Sequence, residues 1–142
     1  MLARLFGTRW LVVFFAFALA SSAAFSRPFD GAPLAVTQLP VEARETLSHI
    51  ERGGPYGYDR DGAVFRNYER QLPPRQRGYY REYTVRTPGV RHRGARRLIV
   101  GCERGNAGNR RASAASRYPE CAGPPDVYYT EDHYRTFRRV AP

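Results

Sequence analysis

The chain has 142 residues and a formal net charge of +10, and arginine supplies all 23 of its basic side chains because lysine is absent. This length allows one domain with a substantial core and is too short for two domains of ordinary size. A guanidinium group binds phosphate through two parallel hydrogen bonds, so the composition favours a phosphate-bearing partner. A general bias toward arginine codons is the alternative explanation.

Residues 1–24 have the three-part pattern of a secretory signal peptide. Arg4 and Arg9 form its charged start, residues 11–20 form an apolar run, and small residues suited to cleavage follow. The run is roughly half the ~20 apolar residues that a membrane span requires, and a retained membrane anchor is the alternative. We therefore predict a secreted, extracellular monomer with no stable membrane association after signal cleavage.

A flexible leader and then a helix are predicted next. Residues 25–38 contain proline and glycine and show no clear period, which is typical of a leader. Pro40 suits the start of a helix, because its missing amide hydrogen would have no helical acceptor there. The apolar residues that follow recur on one helical face: Ala43, Leu47 and Ile50.

Short strand-like runs follow the helix at 63–65, 79–85, 96–100, 127–130 and 134–140. One helix followed by antiparallel strands predicts an α+β domain over residues 39–142, with the N-terminal helix packed on a small antiparallel β-sheet. Residues 101–125 are rich in glycine, alanine, serine, asparagine, arginine and proline. This composition predicts an irregular insertion within the domain.

Cys102 and Cys121 are the two cysteines of the chain, and both lie within this insertion. Export to an oxidising compartment is compatible with a disulfide. From the sequence, the bond is either between these two residues, intermolecular, or absent.

Residues 79–100 hold a carboxylate opposite a group of cations. Glu82 and Thr84 share one face of the first strand, because every second residue faces the same side. A Thr-Pro-Gly turn lets the second strand pair back with the first. Four arginines follow the turn: Arg91, Arg93, Arg96 and Arg97. A carboxylate facing cations across one ladder suits proton abstraction beside a phosphate, and ordinary surface pairing is the alternative.

Metal-independent RNA cleavage requires a base, cations near the phosphate and an acid for the leaving oxygen. Glu82 could be the base, Arg93 with Arg97 the cations, and His133 the acid; each residue alone could also be a surface or structural residue. The histidines and cysteines lack the spacing of metal ligands, so we predict no metal and no cofactor.

Four ordered blocks carry a family resemblance: YREYTV at 80–85, TPG at 87–89, RGARRLI at 93–99 and YYTEDHY at 128–134. In these blocks the chain resembles the secreted guanyl-preferring microbial ribonucleases, the barnase-like family, and most of all their short streptomycete members. The resemblance extends from residue 39 to residue 140, except for the insertion, and implies the microbial ribonuclease fold.

The resemblance also implies a role for each matching residue. Glu82 matches the general base of the family, Arg97 the arginine nearest the scissile phosphate, and His133 the general acid. Arg93 matches a second phosphate-contacting arginine, and Tyr134 matches a tyrosine that borders phosphate and ribose.

A guanine-binding loop is implied in the same way. It consists of Phe65, Arg66, Asn67, Tyr68 and Glu69, in which backbone amides would bind the guanine oxygen. Glu69 would accept hydrogen bonds from the ring and exocyclic nitrogens, a donor pair that adenine lacks. Tyr68 stands where the family usually has an arginine, a departure that concerns base preference more than cleavage.

The function implied is that of a secreted, metal-independent endoribonuclease. It would cleave single-stranded RNA, preferentially after guanosine, through a 2′,3′-cyclic phosphate intermediate. A barstar-like protein inhibitor is the further partner that the resemblance implies. The alternative is a non-catalytic, cationic RNA-binding or membrane-active secreted protein with the same fold.

Overall fold

The computed structural model describes residues 32–104 and 117–141. The predicted signal peptide at 1–24 and the middle of the predicted insertion lie outside these ranges. Within them, the strands and the helix are β1 Leu34–Ala35, α1 Val41–Glu51, β2 Ala63–Val64, β3 Tyr80–Thr84, β4 Arg97–Gly101, β5 Asp126–Thr130 and β6 Arg138–Ala141. No helix of the described ranges has the length and hydropathy that crossing a membrane demands.

The six strands form a single sheet in the order β1-β6-β5-β4-β3-β2. All neighbouring strands are antiparallel except β1 and β6, which are parallel. The helix packs on one face of this sheet, which confirms the predicted α+β class.

The helix face of the sheet holds the main hydrophobic core. Leu98 pairs with Tyr83 on one side and with Tyr129 on the other, and directly paired residues share a face. Helix α1 begins after Pro40 and covers this face with its buried residues, which are the predicted Ala43, Leu47 and Ile50. Burial of this apolar face, more than helix propensity, stabilises such a short helix.

The opposite face of the sheet carries the charged residues of interest. Glu82 pairs with Ile99, and Thr84 pairs with Arg97, so all four side chains share this face. A second, smaller hydrophobic cluster lies there, consisting of Leu72, Tyr79, Tyr80, Ile99 and Tyr128, with Phe65, Tyr134 and Phe137 packed against it. A rigid sheet therefore fixes the spacing between the carboxylate and the arginine.

Two predicted segments differ from the structure. Residues 34–38, assigned to the flexible leader, are ordered: Leu34 is buried and pairs with Val140, and a 3₁₀ turn follows. Elements this short leave no periodicity in the sequence. The predicted strand at 134–140 starts only at Arg138, because the Asp132 carboxylate binds backbone amides that precede it.

Cys102 and Cys121 form an intramolecular disulfide, which confirms one of the three alternatives left open by the sequence. The bond links the end of β4 to the return of the insertion, where Arg104 and Cys121 form an isolated bridge. It therefore holds the two ends of the insertion together next to the sheet.

Replacing both cysteines by serine is expected to lower the free energy of unfolding by about 3 kcal/mol, since the cross-link restricts a short loop of the unfolded chain. Urea unfolding at equilibrium measures this loss. An unchanged unfolding midpoint in the double variant would show that the bond does not stabilise the fold.

Candidate active site

Glu82 lies in the middle of β3 and is only 8% exposed. Its Oε2 accepts a 2.7 Å hydrogen bond from the Tyr134 hydroxyl. Its Oε1 lies 3.9 Å from Nη2 of Arg93 and 4.0 Å from Nε of Arg60. One carboxylate oxygen is thus held by a neutral donor, while the other faces two cations at the edge of a cleft.

Arg97 is buried at the start of β4, with 3% of its surface exposed. Its Nη1 donates to the carbonyls of Gly94 at 2.8 Å and Arg96 at 2.7 Å, and its Nε donates to the Tyr134 hydroxyl at 3.1 Å. Gly94 has φ +64°, and a Cβ atom there would lie 2.8 Å from Cβ of Thr87. The tight loop therefore requires glycine and holds the carbonyl that orients Arg97.

Arg93 forms hydrogen bonds to Thr84, which lies on the same face of strand β3 as Glu82. Its Nε and Nη2 donate to Thr84 Oγ1 at 3.0 and 2.6 Å. The nearby Asp61 accepts a 2.7 Å hydrogen bond from the Thr84 amide and lies 3.9 Å from Arg93 Nη2. Arg96, in contrast, points to the helix side of the sheet, where its Nη1 lies 3.8 Å from Glu42.

His133 and Tyr134 occupy a turn in which both residues have positive φ angles, 58° and 69°. The Asp132 carboxylate closes this turn by accepting hydrogen bonds from the Thr130 hydroxyl, the Arg135 amide, and both the amide and hydroxyl of Thr136. The exposed His133 ring lies 5.0 Å from the ring of Tyr134, centroid to centroid. Asp132 thereby places the imidazole next to the group that contacts Glu82.

The hydrogen bonds to Asp132 also make its turn sensitive to pH. Partial burial opposes ionisation, but the donors of Thr136, Thr130 and Arg135 outweigh it and hold the pKa of this carboxyl below its ordinary 3.8. A lowered pKa in the folded state contributes stability at pH values above the unfolded pKa, and that stability is lost as the pH falls through the folded pKa.

Asp132→Asn is therefore expected to lower the Tm near neutral pH, with the difference from wild type shrinking below a pH of about 3.8. Thermal unfolding from neutral to strongly acidic pH measures this difference. Asp59→Asn, at an exposed position, is the matched control. A Tm difference that stays constant with pH would contradict the role of the Asp132 charge.

Tyr134 connects the carboxylate to the buried arginine. Its hydroxyl donates to Glu82 and accepts from Arg97, so one group contacts both. Burial, and next the hydrogen bond to Glu82, raise the pKa of Tyr134 above its ordinary value of 10.0. The phenol therefore remains a hydrogen-bond donor throughout the neutral pH range.

A cleft of about 790 Å³ extends from Glu82 and Tyr134 to the loop at residues 65–69. The Phe65 amide donates to the Tyr80 carbonyl at 3.0 Å, and its ring stacks on Tyr134 with a 5.4 Å centroid distance. Asn67, at φ 48°, is held by two hydrogen bonds to the backbone of Leu72. This end of the cleft thus combines an aromatic surface with an anchored loop.

The outer part of the loop is more exposed. Glu69 accepts a 3.0 Å hydrogen bond from Gln71 Nε2, and both residues line the cleft. Tyr68 is 77% exposed, and Arg66 donates to its hydroxyl at 2.6 Å. All five residues predicted for the loop therefore line the same cleft as Glu82.

The structure thus brings Glu82, Arg93, Arg97 and Tyr134 into one network, with His133 beside it. Sequence reasoning missed Arg60, Asp61 and Asp132, which contact this network. Arg60 and Asp61 precede the predicted strand-like run at 63–65, and Asp132 precedes the predicted acid, so proximity in the sequence was the only signal for each. Their contacts arise when separate segments meet in the fold.

A carboxylate beside guanidinium groups at an aromatic cleft supplies the groups that acid–base chemistry on a phosphate-bearing substrate requires. The sequence profile of a family described as ribonuclease matches residues 26–141. The chain belongs to this ribonuclease family, which confirms the predicted resemblance.

Individual relatives agree with this assignment. Guanyl-specific ribonuclease Sa3 of Kitasatospora aureofaciens is 45% identical over 72% of this chain, and the match spans only 58% of that relative. Guanyl-specific ribonuclease St of Saccharopolyspora erythraea is 44% identical over 72% of this chain and 81% of its own length.

A solved structure of ribonuclease Sa2 with guanosine-2′-cyclophosphate is similar to the fold described above. It superimposes with a TM-score of 0.60 and is 39% identical, covering 78% of this chain and 96% of its own.

Proposed function

We propose that this protein is a secreted, metal-independent endoribonuclease that cleaves single-stranded RNA after guanosine. The observation that carries the proposal is the contact network of Glu82 with Tyr134 and Arg93, next to the buried Arg97. The names of the relatives, guanyl-specific ribonucleases, support the same activity.

In the first step, Glu82 accepts the proton of the ribose 2′-hydroxyl. Its Oε1 suits this task because Oε2 already accepts from Tyr134. The 2′-oxygen then bonds to phosphorus, and the bond from phosphorus to the 5′-oxygen of the next nucleotide breaks. His133 gives its proton to that leaving oxygen, so the products are a 2′,3′-cyclic phosphate and a free 5′-hydroxyl.

Arg97 and Arg93 offset the negative charge that develops on the phosphate oxygens. Arg97 is held by two carbonyls and a phenol before any substrate arrives, so little reorganisation is required. In the second step, water attacks the cyclic phosphate while His133 and Glu82 exchange their acid and base roles.

Guanine is selected by the loop at 65–69. Glu69 accepts from the ring and exocyclic nitrogens of guanine, after releasing Gln71, while the backbone amides approach the guanine oxygen. Adenine offers no matching pair of donors, so it leaves the carboxylate unpaired. Tyr68, in place of an arginine, adds aromatic surface at the rim of this pocket.

Tyr134→Phe is expected to lower kcat/KM by about 10- to 100-fold, because a hydrogen bond to a charged group is worth roughly 1.5–3 kcal/mol. Tyr58→Phe, outside the network, is the control. Unchanged kinetics in Tyr134→Phe would contradict the bridging role of the phenol.

Defined dinucleotides test the proposed activity most simply. We expect GpC to be cleaved at least about 100-fold faster than ApC, and the 2′-deoxy analogue of GpC to be inert because it lacks the nucleophile. Cleavage should continue in EDTA. Cleavage of the deoxy analogue, or equal rates for GpC and ApC, would overturn the reaction or the base preference respectively.

The proposal also includes an inhibitor of the barstar type. An acidic protein surface would complement the arginines around Glu82, and would protect the producing cell before export. Loss of cleavage at one-to-one stoichiometry with such a protein, and no loss with an unrelated acidic protein, is the expected result.

A further inference from the structure

A second cavity lies on the other side of the guanine-binding loop. Its volume is about 280 Å³, and it shares the residues Phe65, Arg66, Asn67, Tyr68 and Arg77 with the catalytic cleft. Arg75 and Tyr80 line the second cavity but not the catalytic cleft. The loop therefore separates two adjoining spaces.

Tyr68 lines both cavities and is 77% exposed, an unusual state for a large aromatic ring. Arg66 holds it through the 2.6 Å hydrogen bond to the hydroxyl and a guanidinium 5.8 Å from the ring centroid. A ring that is fixed at its hydroxyl but open to solvent is suited to stacking against a nucleic acid base.

The second cavity is also positively charged. Arg77 lines both cavities, and within the described part of the chain it forms no ion pair or hydrogen bond. Arg75 lies 3.8 Å from Asp126, but that carboxylate is shared with Arg139 at 3.2 Å, so two cations face one anion. One guanidinium group without a partner among the described residues and one that shares its carboxylate, beside an exposed ring, match the chemistry of a phosphodiester and its base.

The position of this cavity indicates which nucleotide it would take. Glu82 and Tyr134 line the catalytic cleft but not the second cavity. The scissile phosphate lies on the 3′ side of the guanosine, at the Glu82 end of the cleft. The second cavity adjoins the guanine-binding loop but not Glu82 or Tyr134, so a strand that enters it extends away from the scissile phosphate, on the 5′ side of the guanosine.

We propose that the second cavity binds the nucleotide on the 5′ side of the guanosine, with its base stacked on Tyr68 and the connecting phosphate bound by Arg77. Arg75 then contributes positive charge at the outer end. This subsite rests on the proposed ribonuclease function and extends it from a single guanosine to a dinucleotide footprint.

Three substrates with one cleavable bond test the subsite: GpC, the 5′-extended CpGpC and the 3′-extended GpCpC. We expect kcat/KM for CpGpC to exceed that for GpC by about five- to tenfold, in the lower part of the range that base–aromatic stacking supplies. Tyr68→Ser and Arg77→Gln should each reduce this ratio to about one or two, whatever their effect on GpC itself. The gain from the 3′ extension should not change.

Arg75→Gln and Arg44→Gln form a pair of variants with equal charge loss. Arg44 is exposed on α1, on the other side of the sheet. Only Arg75→Gln should reduce the CpGpC to GpC ratio, while both retain the wild-type rate on GpC. A wild-type ratio of one, a ratio that survives in Tyr68→Ser and Arg77→Gln, or an equal effect of the Arg44 variant would overturn the subsite. Failure to cleave GpC would instead overturn the proposed function.

Discussion

Glu82→Gln is expected to lower kcat/KM on GpC by about 100- to 10,000-fold, the range that general base catalysis supplies. Glutamine has nearly the same shape and still accepts a hydrogen bond from Tyr134, so the sheet and the arginines remain in place. It cannot take the 2′-hydroxyl proton at neutral pH. The loss should therefore lie mainly in kcat and not in KM.

Glu45→Gln is the matched control for this variant, since Glu45 is exposed on α1 and lies on the opposite side of the sheet. Its kinetics should equal those of the wild type. Urea unfolding of both variants separates a chemical effect from a loss of folded protein. Undiminished cleavage by folded Glu82→Gln would remove the proton acceptor from the mechanism.

His133→Asn is expected to lower kcat/KM by about 100- to 10,000-fold, because the leaving oxygen loses its proton donor. Asparagine is chosen because it tolerates a positive φ better than most residues, and His133 has φ 58°. The turn held by Asp132 should therefore survive the substitution. A lowered Tm of His133→Asn would show that the turn is disrupted.

The pH–rate profile gives this variant a second readout. In the wild type, the profile should be bell-shaped, because the first step requires an ionised carboxylate and a protonated imidazole at the same time. His133→Asn should lose the basic limb, whereas the control His49→Gln on α1 should keep it. A wild-type profile that stays flat up to a pH of about 9 would contradict the acid role.

The sequence predicted the helix and the central strands well, because their apolar patterns are long enough to define a face. Ala43, Leu47 and Ile50 lie at helical spacing, and the helix buries all three. The hairpin of β3 and β4 was predicted from alternation and a Pro-Gly turn, and Thr84 pairs with Arg97 in its register. In both cases the signal is local.

The two-residue strand β1 was not predictable in this way. The pairing of Leu34 with Val140 joins the two ends of the domain, and no local sequence pattern predicts this pairing. Asp61 illustrates the same limit within the site: it accepts from the Thr84 amide and approaches Arg93, contacts that exist only after folding. Family resemblance indicated Glu82, Tyr134 and His133 as candidates. It did not indicate Arg60, Asp61 or Asp132, whose contacts exist only in the folded chain.

Analysis of the 3′ ends produced from RNA tests the central claim most directly. The mature protein is incubated with single-stranded RNA in EDTA at slightly acidic pH, and the products are analysed by mass spectrometry. We predict fragments ending in guanosine 2′,3′-cyclic phosphate at early times, which convert to guanosine 3′-phosphate later. Intact RNA, cleavage that requires added divalent metal, or ends without a cyclic phosphate would contradict an acid–base mechanism built on Glu82 and His133.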